Sequence, residues 1–342
     1  MGAAIGAAIV CAVVAPLWTP SVERSSRSAV RSFLDAAGFA DYQSAWEWSV
    51  AAETAGEFWQ MVADRAAVEW LEAPTAALVR TASTVTGAEW FPGSRLNYAA
   101  AALKRTGEEP ALIALSDTAG ERTISWDGLR SSVARLRAGL VALGVVAGDT
   151  VAGYLPNIPE TLELMLATAS IGAVWTCCAP EVGVAGCLDR LAQCRPKVLV
   201  AVDGYRYGER TIDRRSVANE IRAGLPGLQA AVLLPYLSPE SEPAPGWISW
   251  SVLTAGDGPL EFEPVPFEHP LYVLYSSGTT GQPKAIIHGH GGILLEHHKA
   301  LSLHFDLGPA DRFFWFSTTG WMMWNFCVSG LLTGSTVVLF DG

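Results

Sequence analysis

V-A-G-Y-L-P-N-I-P-E-T-L-E-L-M-L-A-T-A-S-I-G-A-V-W-T-C-C-A, residues 151–179, reads as strand, helix, strand. Residues 151–155 are a short apolar run. Residues 159–171 have the length and period of a helix that stops at Gly172, and residues 173–179 turn apolar again. A strand that is apolar on consecutive residues has no face to offer water, so it belongs in a sheet covered on both sides. Helix-length connections between such strands mark a parallel sheet.

The same rhythm extends outward. Upstream, residues 111–115 form a strand and 126–143 an amphipathic helix ending at Gly144. Downstream, a helix near 184–193 leads to a strand at 197–203, and further strands are expected at 231–234, 272–275, 313–317 and 336–340. The fold class is α/β, with parallel sheets covered by helices. The chain before Gly107 differs. Residues 33–65 are aromatic and helical in period, with Phe39, Tyr42, Trp46, Trp48, Phe58 and Trp59, and read as a helical layer packed on a larger domain. Thr54 and Glu57 have capping-box spacing at the start of one helix. Residues 90–94 are a turn, followed by a helix from about 96 to 104, and residues 237–245 are an exposed loop.

Composition narrows the function. Of the 342 residues 50% are apolar and only 17% charged, which excludes disorder as the dominant state. The balance of 23 Lys+Arg against 34 Asp+Glu gives a net charge of −11. No positive footprint is present to displace counterions from a phosphate backbone, so nucleic acid is not an expected partner. The six cysteines include no C-x-x-C pair, and adjacent Cys177 and Cys178 are poorly placed to bridge one another, which points to a reducing, cytoplasmic setting. Residues 1–18 carry no charge, yet lack the basic lead of a signal peptide. They also fall short of the roughly 20 strongly apolar residues of a membrane span, and Gly6 breaks the myristoylation pattern. No membrane partner is expected, and this start reads as unstructured or wrongly assigned.

The chemistry concentrates at residues 271–284, L-Y-V-L-Y-S-S-G-T-T-G-Q-P-K. An apolar strand runs into a loop rich in Ser, Thr and Gly and then a lysine. Glycines bring backbone N–H groups close to a ligand, and Ser276, Ser277, Thr279 and Thr280 add hydroxyls. Lys284 adds a compact positive charge. With Gly278 and Gly281 these residues suit a polyphosphate. The loop is not a Walker motif: counted from Gly278, that pattern needs Gly at 283 and Ser or Thr at 285, where the chain has Pro283 and Ala285. This argues against an ordinary P-loop NTPase or kinase.

Y-S-S-G-T-T-G-Q-P-K resembles the signature loop of the adenylate-forming acyl-CoA synthetases. The stretches A-I-I-H-G-H-G-G-I-L-L-E-H-H-K-A-L and D-R-F-F-W-F-S-T-T-G-W-M-M-W-N-F resemble the acetoacetyl-CoA branch of that superfamily more than the acetyl-CoA branch. Upstream, P-L-W-T-P-S (16–21), W-F-P-G-S-R-L-N-Y (90–98) and P-K-V-L-V-A-V-D-G-Y-R-Y (196–207) fit as well. The resemblance covers 16–342. It divides the chain into residues 1–15 outside it, a helical region at 16–106 like the amino terminus of acetyl-CoA synthetases, and an AMP-binding domain at 107–342.

That resemblance implies a two-step ligation of acetoacetate to CoA, with ATP and magnesium, through an acyl-adenylate. Ser276 to Gly281 would hold the β- and γ-phosphates, with Lys284 beside them. Gly320, Trp321, Met322, Met323, Trp324 and Asn325 would form the acyl pocket, where a flat indole and flexible Met side chains suit a small acid. Asn325 could read the 3-keto oxygen. Residues 313–316 read instead as a buried aromatic strand. His288, His290, His297, His298 and Glu296 lack any familiar metal spacing, so no metal site is expected among them. The residues at 288–292 end a strand and open a helix. The family pattern, including its carboxy-terminal lid and catalytic lysine, continues past residue 342. The expectation is therefore a partial amino-terminal domain with little activity of its own, with a non-catalytic remnant or nucleotide-binding fragment, or a ligase for another short-chain carboxylic acid, as alternatives.

Overall fold

The computed structural model describes residues 17–81, 87–117, 120–240, 242–276 and 281–341. The chain enters through four helices, α1 (Val22–Arg27), α2 (Ala29–Ala37), α3 (Tyr42–Val50) and α4 (Ala55–Arg65). Ser21, Ser28 and Asp41 cap the first three, each side chain accepting from the backbone N–H three residues on. The capping box at Thr54 does not form, although α4 starts there. The Thr54 hydroxyl donates to Trp48 O and Glu57 accepts from Trp48 Nε1 at 3.2 Å, so both groups tie α3 to α4 instead. Phe58 sits among Phe33, Trp48 and Trp59 in edge-to-face contacts, with ring centres 5.2–5.8 Å apart. This layer packs on the main core through Phe33, Val62 and Ala63. Strands β1 (Leu78–Arg80) and β2 (Ala88–Trp90) then pair, followed by β3 (Arg95–Leu96) and α5 (Tyr98–Ala102).

The α/β part follows in order. It begins β4 (Pro110–Ser116), β5 (Gly120–Ser125), α6 (Trp126–Ala142), β6 (Thr150–Tyr154), α7 (Pro159–Ser170), β7 (Val174–Cys178), α8 (Val184–Leu191) and β8 (Val198–Val202). A hairpin of β9 (Gly204–Tyr207) and β10 (Arg210–Asp213) precedes α9 (Arg215–Gly224), β11 (Ala230–Leu234), β12 (Ile248–Ser249) and α10 (Trp250–Thr254). Strand β13 (Val265–Pro266) pairs back to β3, and β14 (Pro270–Ser276), β15 (Lys284–Gly289) and α11 (His290–Lys299) come next. The last elements are β16 (Arg312–Phe314), α12 (Met322–Val328) and β17 (Thr336–Phe340).

Seven strands form one sheet in the order β12-β11-β8-β6-β7-β14-β15, parallel except for the final pair. Alternate residues divide between its faces. Val151, Val198, Val200 and Val232 join the core beneath α6 and α7, while Ala152, Leu199, Ala201 and Leu233 pack with Cys187 of α8 and Ile221 of α9. Continuous apolar strands are what a sheet covered on both faces requires. A second sheet runs β16-β17-β4-β5, its first two pairings parallel. The expected strand at 313–317 is shorter. Pairing ends at Phe314, and although Phe313 is buried, Phe316 is 76% exposed, because the chain leaves the sheet edge there.

Strand order creates one special place. The connection after β6 passes through α7 on one face to β7, and the connection after β7 passes through α8 on the other face to β8. The two loops leave on opposite faces, with a crevice at the carboxyl ends of β6 and β7. The strand order itself reverses beside it, between β6, whose connection runs towards β7, and β8, whose connection runs towards β11. This carboxyl edge is where doubly wound sheets bind their ligands.

Candidate active site

A cleft of about 290 Å³ occupies that crevice. Pro156 and Asn157 enter it from the β6 loop, and Ala179 and Glu181 from the β7 loop. The second sheet closes it, because the carboxyl ends of β16 and β17 supply Phe316 to Thr319, Trp321, Phe340 and Asp341. Tyr207 of the β9–β10 hairpin stands at the rim. Four larger hollows lie elsewhere among the described residues. The one of about 360 Å³ is an apolar groove between α2, α3 and α4, and the one of about 590 Å³ is a polar depression over α6 and α7. Two more, of about 310 and 500 Å³, lie beside α11 and along α4.

Buried hydrogen bonds hold the cleft walls. The Thr319 hydroxyl donates to Leu155 O at 2.6 Å, and Trp324 Nε1 donates to Asn157 Oδ1 at 2.8 Å. The Tyr154 hydroxyl donates to Pro180 O at 2.7 Å and Val182 O at 3.0 Å, fixing the start of the β7 loop. Tyr236 donates to Asp341, joining the ends of β11 and β17 across the two sheets. Burial pushes the Cys177 thiol up to about 12, so it stays protonated and is no nucleophile.

The sequence-predicted residues separate in space. Gly320 lies against the end of β7, where a Cβ would stand 3.5 Å from Cys177 O, and Trp321 lines the cleft with 60% of its surface exposed. Met322 is exposed and Met323 half-buried. Trp324 and Asn325 turn inward on α12: Trp324 joins the main core, and Asn325 is buried with its Oδ1 unpartnered. In the phosphate-loop candidate, Ser277, Gly278, Thr279 and Thr280 lie outside the described residues. Ser276 and Lys284 face each other as the last pair of the β14–β15 hairpin, and Gly281 takes φ +107. Because β14 runs parallel to β7, that hairpin end and the cleft share the carboxyl edge of the sheet. Gln193 Nε2 donates to Pro283 O at 3.0 Å, and Cys194 Sγ meets the Tyr275 hydroxyl at 3.0 Å, so the hairpin is anchored to the segment after α8.

The histidines serve packing. His290 opens α11 and its Nδ1 accepts from Tyr98 N at 3.1 Å, while His297 Nδ1 meets the Ser329 hydroxyl at 2.7 Å. Among the described residues no group of three His, Cys, Asp or Glu is placed to hold a metal. Asn157, Glu181, Tyr207 and Asp341 escaped the sequence reading. P-N-I-P between an expected strand and helix was a visible turn, but the neighbours of β6 are not written in its sequence.

A doubly wound sheet with a cleft and the end of the β14–β15 hairpin on its carboxyl edge defines an α/β domain built to bind a ligand at that edge. Residues 99–342 match the AMP-binding enzyme family, and residues 42–102 match the acetyl-coenzyme A synthetase N-terminus. The chain belongs to the AMP-binding enzyme family. It is 43% identical over 339 residues to the acetoacetyl-coenzyme A synthetase of Rhizobium meliloti (strain 1021), covering 96% of this chain and 51% of that protein. It is also 37% identical over 318 residues to malonamoyl-CoA synthetase vrtB of Penicillium aethiopicum, covering 88% of this chain and 44% of that protein. Among solved structures, acetoacetyl-CoA synthetase from Streptomyces lividans superposes with a TM-score of 0.90 at 47% identity, covering 96% of this chain and 51% of that one. The chain spans about half the length of the curated relatives it matches.

Proposed function

We propose that this chain carries the acid- and nucleotide-binding half of an acetoacetate–CoA ligase. The observation that carries the reading is identity of 43–47% to acetoacetyl-CoA synthetases across 96% of the chain. In the first step a carboxylate oxygen of acetoacetate attacks the α-phosphorus of MgATP, and the bond to pyrophosphate breaks. In the second, the sulfur of CoA attacks the acyl carbon and AMP leaves. The first transition state spreads negative charge over the α-phosphate and the departing pyrophosphate, so donors must already be aimed there. Ser276, Ser277, Gly278, Thr279, Thr280 and Gly281 fill that role, with Lys284 supplying charge. Gly320 and Trp321 bound the acyl end, with Met322 and Met323 beside them and Trp324 and Asn325 behind.

The acetoacetyl and malonamoyl groups of the two named relatives share one feature, a carbonyl at the third carbon. A second reading follows, in which the substrate is another short acid with that carbonyl. Acid-dependent exchange between ATP and labelled pyrophosphate tests both. Weak acetoacetate-dependent exchange, in keeping with a half-length chain, that falls at least about tenfold in Lys284→Ala is the expected result. Exchange favouring malonamate selects the second reading, and exchange with no acid at all overturns both. The five cysteines among the described residues are free thiols, in keeping with a reducing cytoplasm as the setting.

A further inference from the structure

The wall that carries Trp321 is not held by its own strand, because β16 ends at Phe314 and α12 begins at Met322. Between them the chain makes one turn, with Trp321 N donating to Thr318 O at 3.1 Å and Trp324 N to Trp321 O at 3.0 Å. Two side-chain hydrogen bonds fasten this turn to the main sheet, and both reach the few residues after β6. One is Thr319 to Leu155 O; the other is Trp324 Nε1 to Asn157 Oδ1. Asn157 is 8% exposed and Trp324 1% exposed, so solvent competes poorly for that second bond. Asn157 also lies in the loop that leads from β6 to α7, so it joins one sheet's loop to the other sheet's wall.

We infer that Asn157 is a positioning residue for acid selection: by accepting from Trp324 it sets the depth at which Trp321 stands in the cleft. Removing the acceptor leaves a buried indole N–H unpaired and frees the start of α12 to shift, carrying Trp321 with it. The change falls on fit to the acid rather than on phosphate chemistry at the β14–β15 hairpin. This inference rests on the acid-activating reading above.

The test uses the 342-residue chain and acid-dependent ATP–pyrophosphate exchange with acetate, acetoacetate and hexanoate. Asn157→Leu, which keeps approximate volume and loses the acceptor, should raise KM for acetoacetate about tenfold while kcat changes less than about threefold. Trp324→Phe, which removes the donor N–H from the other partner together with part of the buried indole ring, should raise KM at least as much. The double variant should fall short of the product of the two single effects, because the hydrogen bond they share is lost only once. Melting temperatures of all three variants measure any loss of fold. If Asn157→Leu raises KM and Trp324→Phe does not, Asn157 meets the acid directly and the inference is overturned. Wild-type KM values in Asn157→Leu overturn it as well. Absence of exchange from the unsubstituted chain with every acid overturns the underlying reading and this inference together.

Discussion

Three buried side chains tie stability to pH, and they act in opposite directions. Burial holds His290 down to about 3, and His297, also buried and facing His288, down to about 4. In the unfolded chain each titrates near 6.5, so below that pH the unfolded state binds more protons and the fold loses stability as pH falls. Between pH 6.5 and 5 the loss is roughly 2 kcal/mol per histidine. Glu163 of α7 behaves inversely. Burial, reinforced by Glu160, raises it to about 7, so its contribution is intact below about 4.5 and is lost as pH rises through 7. Glu163→Gln should therefore raise the melting temperature at pH 8, by an amount equivalent to as much as about 3 kcal/mol, and the gain should vanish towards pH 4.5. Melting curves across pH 4.5–8 for the parent and this variant check both slopes.

At the scale of elements, helix α6 depends on one close approach. A Cβ on Gly139 would lie 1.9 Å from Leu253 O, which belongs to the backbone of α10 and cannot rotate aside. Leu253 is itself buried in the main core. Gly139→Ala should force α10 away and cost at least about 2 kcal/mol, although alanine favours an isolated helix over glycine. Chemical denaturation of the two proteins measures the difference, and a more stable variant would show that α10 yields. The α3–α4 junction teaches a related lesson. Thr54 and Glu57 have the spacing of a local cap, but Trp48 offers both of them tertiary partners and takes them.

At the scale of the whole molecule, both sheets share one interior. Leu112, Val337 and Leu339 of the smaller sheet belong to the same buried cluster as Val151, Val198 and Leu271 of the larger. The two sheets should therefore unfold together. Near-ultraviolet circular dichroism and tryptophan fluorescence should report a single coincident transition, with Leu112→Ala and Val200→Ala each lowering the same midpoint by the equivalent of about 2–4 kcal/mol. Two separated transitions would show that each sheet carries its own core. The cleft depends on this union, since β6 and β7 supply one side and β16 and β17 the other.

The alternation at 151–179 determined the βαβ unit by itself, because apolar periodicity and a glycine stop act within a few residues of chain. The hydroxyl-rich run after residue 275 stands out in the sequence for the same reason: its hydroxyls and glycines are consecutive residues. Local pattern could not say that α12 turns Trp324 and Asn325 into the core while leaving Trp321 exposed at the cleft. A helix's inward face is chosen by what it packs against. Nor could it extend β16 correctly, since Phe314 to Phe316 are aromatic whether the chain stays in the sheet or leaves it. The order β8-β6-β7, on which the switch point depends, belongs to strand neighbours scattered along the chain. Asn157 gained its partner 167 residues away only when two sheets met around a common core. Short-range chemistry is written in sequence, whereas a crevice between strands exists only once long-range pairing has set which strands are adjacent.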